Sequence, residues 1–82
     1  MMNNINQIKW KCRRGLRELD LLFREMMKSK LYSFNPSELS LLDDILDYDD
    51  QTLFDFIFKD VSLGNSKHEM FIIKELKHYK ID

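Results

Sequence analysis

"WKCRRGLRELD", residues 10–20, decides how this chain is divided. Lys11, Arg13, Arg14, Arg17, Glu18 and Asp20 make it highly charged, and apolar side chains flank it on both sides. Gly15 sits in the middle of what otherwise reads as a good helix. A glycine inside a helix costs roughly 0.5–1 kcal/mol relative to alanine, so the position has a reason. Two reasons fit. The glycine breaks one helix from the next, or its bare Cα lets another backbone or a flat ligand come close. Both can hold together at one corner.

Working outward, Ile5, Ile8 and Cys12 recur at helical spacing, which predicts a first helix from Asn4 to Arg14. Trp10 falls off that stripe, so it either caps an edge of the core or faces outward. A second helix is predicted from about Leu16 to Leu31, with Leu16, Leu19, Leu22, Phe23, Met26 and Met27 inward. "FNPSEL" restarts the chain: Asn35 suits an N-cap, Pro36 the first helical position, and Glu38 a capping box. The third helix runs to about Asp47 and buries Leu39, Leu42, Ile45 and Leu46. "YDDQT" begins a fourth, capped by Asp49 or Asp50 and reaching about Lys59. Leu53, Phe56 and Ile57 share one of its faces, while Phe54 and Phe58 project elsewhere. Gly64-Asn65 marks a turn, after which Ser66 is expected to cap a fifth helix, with Glu69 three residues on. Ile72, Ile73, Leu76 and Tyr79 form its expected inner face. No stretch alternates with period two for long enough to be a strand. The reading is an all-α, small five-helix bundle, a single helical domain over residues 1–82.

A chain of 82 residues has room for a core and little for a deep substrate cavity, so an outer face is expected to do the work. The net charge of −1 argues against a strong nucleic-acid binder. The distribution says more than the sum. Residues 1–30 carry Lys9, Lys11, Arg13, Arg14, Arg17, Arg24, Lys28 and Lys30 against Glu18, Asp20 and Glu25. Residues 31–60 carry Glu38, Asp43, Asp44, Asp47, Asp49, Asp50, Asp55 and Asp60 against Lys59 alone. Such a dipole steers a partner, or it draws the two halves together across the bundle. Cys12 is the sole cysteine, which excludes an internal disulfide and fits a reducing compartment. Residues 1–4 show neither a secretion signal nor a transit pattern, and no apolar run reaches spanning length, so a cytoplasmic protein without membrane insertion is expected.

Chemical constellations are absent from the pattern. His68 and His78 lack partners at metal-site spacing and read as solvated surface histidines. Cys12 has cationic neighbours that favour a thiolate, yet its phase matches Ile5 and Ile8, so a buried structural cysteine is expected. There is no phosphate-cradling glycine loop, and the Asp-rich segment lacks a calcium-loop pattern. A stand-alone enzyme is not expected. On a continuous helical wheel, Arg14 and Glu18 share a solvent face with Arg17 and an exposed Leu21. This reading makes Arg14 and Glu18 an outward donor and acceptor pair beside the glycine.

"RGLRE", residues 14–18, fits an Arg-Gly-x-x-Glu motif, and the fuller run adds Trp10, Cys12, Arg13 and Asp20. In this the chain resembles the bacterial FAD assembly factor SdhE family, relatives of succinate dehydrogenase assembly factor 2. "DDQTLFDFI" resembles a second family segment, Asp-x-x-Leu-x-x-Trp, with Phe56 where tryptophan is usual. The likeness spans about residues 8–60. It implies an assembly factor, not an enzyme, that binds the flavoprotein subunit of succinate dehydrogenase or fumarate reductase. There it would promote covalent attachment of FAD to a client histidine by positioning. On that implication no cofactor is bound tightly, since the FAD is held by the client. As a small soluble bundle the chain is expected to be a monomer when free. Arg14, Gly15 and Glu18 would form the partner-binding centre, with Arg13, Arg17, Asp20 and Trp10 around it. The competing readings are an antitoxin-like interaction module and a small nucleic-acid-binding helical module using residues 9–30.

Overall fold

The computed structural model describes residues 5–79. Five α-helices follow one another: α1 (Ile5–Lys11), α2 (Arg17–Lys30), α3 (Pro36–Ile45), α4 (Asp50–Lys59) and α5 (Ser66–Glu75). Short 3-10 turns cover Leu31–Ser33 and Lys77–Tyr79. The all-α expectation holds, and there is no strand among the described residues. The expected start at Asn4 lies outside them.

The second helix is the spine. Leu19, Leu22, Phe23 and Met26 recur at helical spacing and are buried, and each such side chain contributes about 1.5–3 kcal/mol by leaving water. This stripe packs against α4 and the closing 3-10 turn, while α3 packs on α5 and α1 on α3. Ile8, Leu31, Leu42, Ile45, Leu53, Ile57, Ile72 and Leu76 are also fully buried. Phe56 is also buried, so the position where the family pattern has tryptophan is a packing position here.

Local chemistry sets the helix ends. At α3 the capping box forms as expected, with Glu38 N–H donating to Asn35 Oδ1 at 2.8 Å and Asn35 N–H donating to Glu38 Oε1 at 2.9 Å. Asp49, not Asp50, caps α4 by accepting from Thr52 N–H at 2.7 Å. The α4 helix stops at Asp60, whose φ of 59° is left-handed. Aspartate tolerates this conformation better than most residues do.

The start of α5 differs from expectation. Asn65 is the cap, accepting from His68 N–H at 3.1 Å, and Ser66 is already helical. Glu69 does not close a box with Ser66. It accepts from Leu63 N–H and Ser62 Oγ–H at 2.7 and 2.8 Å, clamping the preceding loop. Those bonds favour its charged form and hold its carboxyl below the usual range. The inner face of α5 is also shifted. Phe71, Ile72, Glu75 and Leu76 point inward and Ile73 is exposed. A buried glutamate is tolerated because Lys30 Nζ reaches Glu75 Oε1 at 2.8 Å, pairing the end of α2 with α5. His68 is not freely solvated either: Tyr48 Oη lies 2.7 Å from its Nδ1. The expectation for the His78 side chain falls outside the described ones.

Candidate functional site

The corner between α1 and α2 occupies residues 12–16, and its geometry answers the glycine question. After Lys11 the helix closes with Cys12 N–H donating to Ile8 O, then the chain turns. Leu16 enters α2 in an extended conformation with no side-chain cap. Arg14 and Glu18 therefore do not sit on one continuous helix, and the expected pair between them does not form.

Arg14 turns inward instead. Its side chain is only 9% exposed. Nε donates to Asp50 Oδ1 at 2.6 Å, Nη1 to the carbonyls of Lys11 and Leu46 at 3.1 and 3.0 Å, and Nη2 to the carbonyl of Tyr48 at 2.6 Å. The Lys11 carbonyl lies at the end of α1, and the other two follow α3, where helical partners run out. The planar fork satisfies all three while pairing its charge, a geometry that arginine supplies and lysine does not. The reading of Arg14 as an outward donor is corrected: it is the latch that joins α1, the α3–α4 link and the start of α4.

Gly15 belongs to the same latch. Its N–H donates to the other carboxylate oxygen, Asp50 Oδ2, at 2.9 Å. A Cβ built on Gly15 would stand 2.9 Å from that oxygen, closer than real Cβ atoms come. Close approach is the reason for the glycine, and the group approaching is the chain's own Asp50. Asp20 braces the corner from the other side, accepting from Arg14 N–H at 3.1 Å and from Arg24 at 2.9 Å. Asp20 is thus a half-buried brace rather than an open recognition group.

The corner leaves other residues outside. Trp10 is 73% exposed, with the Arg13 guanidinium 5.9 Å from its ring. Lys9 lies 5.5 Å from the ring of Tyr32, itself 77% exposed. Such cation–ring contacts at exposed sites contribute about 0.5–1 kcal/mol and hold the aromatics at defined angles. Arg17 and Glu18 are exposed and have no ion-pair partner among the described residues. A groove of about 290 Å³ between α1 and α2 is lined by Lys9, Cys12, Arg13, Asp20, Arg24 and Met27. Burial pushes the Cys12 thiol up to about 12, overriding the opposing Arg14 charge, so this cysteine is a core group as expected.

The charge dipole is partly consumed inside the fold. Lys11 Nζ reaches Asp43 at 2.9 Å and Asp47 at 2.7 Å, beside the Arg14–Asp50 pair. The carboxylates hydrogen-bond the Lys11 ammonium and raise its pKa. Mutual attraction of the two halves is realised at these three carboxylates. A basic helix pair laid on nucleic acid would need those cations free. Among the described residues no group of three histidine, cysteine, aspartate or glutamate side chains could hold a metal ion, and no helix is long and apolar enough to cross a membrane.

Asp50 is the functional residue that sequence reasoning undervalued. Its signal was present as the first letter of the Asp-x-x-Leu-x-x-aromatic segment, but in one dimension it reads as an N-cap. Tyr32 was missed because nothing in its own neighbourhood marks it.

Fold and corner together define a class, a small all-α bundle whose internally latched turn displays aromatic and cationic groups. The chain belongs to the family described as flavinator of succinate dehydrogenase, whose profile matches residues 6–80. It is 34% identical over 68 residues to the FAD assembly factor SdhE of Coxiella burnetii, covering 83% of each chain. It is 33% identical over 49 residues to the FAD assembly factor SdhE of Legionella pneumophila strain Paris, covering 60% of this chain and 62% of the other. No solved structure matches it.

Proposed function

We propose that this protein is a FAD assembly factor that binds the flavoprotein subunit of succinate dehydrogenase and promotes covalent attachment of FAD to it. The carrying observation is the family match over residues 6–80, which takes in the whole latched corner. On this reading the labour at the corner is divided. Arg14, Gly15, Asp50 and Asp20 build and hold the turn. Trp10, Arg13, Arg17 and Glu18 face outward and make the contact with the client. Trp10 is the aromatic anchor, since tryptophan is enriched among the few residues that carry most of an interface's energy. Arg13 and Arg17 offer donors to client carbonyls or carboxylates, and Glu18 accepts from client donors.

Attachment would replace a C–H bond of a flavin methyl group with a bond to a client histidine nitrogen, the two protons being released and the flavin ring taking the two electrons, and both reacting groups belong to the client. The factor acts by positioning, holding the client's domains so that histidine and flavin meet. Fixing reacting groups in a productive geometry can supply several kcal/mol of barrier reduction without any catalytic side chain on the factor. FAD stays with the client. Two grooves beside α2, of about 210 and 290 Å³, are smaller than the ~300–1,000 Å³ of pockets for drug-sized ligands, and FAD is larger than those. The flavoprotein of fumarate reductase is a second client by the same chemistry. The factor works in the cytoplasm as a monomer when free.

The test is in-gel flavin fluorescence of the flavoprotein subunit in cells lacking the endogenous factor, complemented with wild type, Glu18→Ala or Trp10→Ala. Wild type restores the covalent flavin signal, and the two variants lower it while retaining the wild-type melting curve. A full signal from both variants removes the outer face from the mechanism. No restoration by wild type removes the function. The nucleic-acid reading is not favoured, because Lys11 and Arg14 are already committed to Asp43, Asp47 and Asp50, and the family match over residues 6–80 does not favour the antitoxin reading.

A further inference from the structure

We infer that the flank of α2 beside α4 is a second docking surface on the same client, built to take an apolar side chain from a segment that carries a lysine or arginine next to it. This rests on the client assignment above and adds a site outside the corner. Glu18, Leu21, Leu22 and Glu25 stand at i, i+3, i+4 and i+7, which puts them in one stripe on α2. Phe58 from α4 and Tyr79 from the closing turn complete a groove of about 210 Å³ with those four. Its floor is apolar and its rim is acidic. Leu21 is 41% exposed in this wall, although the bundle has Phe58 close by to cover it.

The charge pattern selects the occupant. Glu18 has no ion-pair partner among the described residues, and Glu25 has only the exposed Lys28 at 3.3 Å. The cations of α2, Arg17, Arg24 and Lys28, fall on a neighbouring stripe and do not line the groove. An acidic segment would be repelled at this rim. A purely apolar segment would strip water from Glu18 without replacing its interactions, which is costly. A cation beside the apolar anchor meets both needs. Because Glu18 also borders the corner, one client can reach both surfaces at once. Its size suits one leucine- or phenylalanine-like side chain.

The test uses the purified flavoprotein subunit of succinate dehydrogenase, titrated against the full-length chain labelled for fluorescence anisotropy. Leu21→Glu is expected to weaken binding about ten-fold or more, with an unchanged circular dichroism spectrum and melting curve, because one buried apolar anchor is lost. The Glu18→Gln/Glu25→Gln double variant is expected to weaken it about three-fold and flatten its dependence on salt. A photo-crosslinking residue at position 21 is expected to capture a client peptide with a lysine or arginine within one helical turn of the anchor. Wild-type affinity in Leu21→Glu overturns the groove and leaves the client assignment standing. So does a crosslink to a second copy, to residues 80–82 of the chain itself, or to an acidic client peptide. Absence of binding by the wild-type chain overturns the client assignment, and the groove with it.

Discussion

Replacing Arg14 with alanine should cost about 3 kcal/mol of folding stability. The deletion removes four hydrogen bonds, one of them to the Asp50 carboxylate and three to carbonyls of Lys11, Leu46 and Tyr48. Breaking a buried ion pair from one side costs about 3–5 kcal/mol, chiefly because a charge is left without its partner. Asp50 is 31% exposed and keeps the Gly15 N–H, which places the value at the low end of that range. A chain of 82 residues has a total stability of about 4–12 kcal/mol, so the loss is a large fraction of it. At about 4–8 °C per kcal/mol for a domain of this size, the melting temperature should fall by about 12–24 °C. Arg14→Lys keeps the charge but not the fork, and should cost about 1.5–2 kcal/mol, since it cannot make the same set of charge-assisted bonds. Arg17→Ala, on the exposed side, should stay within about 0.5 kcal/mol of wild type. Thermal and urea denaturation followed by circular dichroism measures all three, with flavinylation assayed below each variant's melting transition. A melting temperature for Arg14→Ala within about 3 °C of wild type would refute the latch. A normally stable Arg14→Lys that fails to flavinylate would return Arg14 to the recognition surface.

Gly15→Ala should destabilise by about 1–2 kcal/mol, because the new Cβ displaces Asp50 Oδ2 and weakens its bond to the Gly15 amide; an ordinary open glycine would instead give a gain of about 0.4–1 kcal/mol, so the sign of the change in a urea melt decides. Stability should fall on the alkaline side. Cys12 is held neutral in the fold up to about 12 against an ordinary 9.0, so the unfolded chain binds fewer protons above pH 9 and gains relative to the fold. Lys11 and Lys30, both raised above 10.5 by their carboxylates, lose their contributions at still higher pH. Melts from pH 7 to 11 should show a decline that begins near 9 in wild type and later in Cys12→Ala. Lys30→Met should destabilise the fold by taking from the buried Glu75 its cation at 2.8 Å, and the Lys30→Met/Glu75→Met double variant should recover most of that loss in a thermal melt.

Helix number and most boundaries could be read from periodicity and caps, because both are local. Asn35, Pro36 and Glu38 form their capping box within four consecutive positions, and nothing distant competes with it. Asn65 and Ser66 are both good caps, and the contest was settled by Glu69, whose carboxylate is drawn back to the Leu63 amide instead of closing a box. The stripe of α5 moved because Glu75 could be buried, and that depends on Lys30, 45 positions away. The corner shows the same division. That Gly15 marks a break and a close approach is visible in the sequence. Which group approaches is not, since Asp50 lies 35 positions on. A helical wheel assumes an unbroken helix, and across residues 12–16 the assumption fails, so the wheel puts Arg14 outside where the turn sends it in.

The latch also explains why an assembly factor of this size can afford so exposed a face. Trp10 and Tyr32 contribute little to the core from where they stand, and Arg17 and Glu18 have no ion-pair partner among the described residues to orient them. Their positions are fixed by the backbone beneath them, and that backbone is fixed by Arg14, Asp50 and Asp20. Ordering a loop at the moment of binding costs about 0.5–1.5 kcal/mol for each side chain immobilised. A corner already held by five hydrogen bonds to one guanidinium and its carboxylate partner spares the backbone share of that cost. The Arg-Gly pair at the centre of the motif thus fixes the turn beneath the exposed residues, and a variant there is expected to loosen that turn.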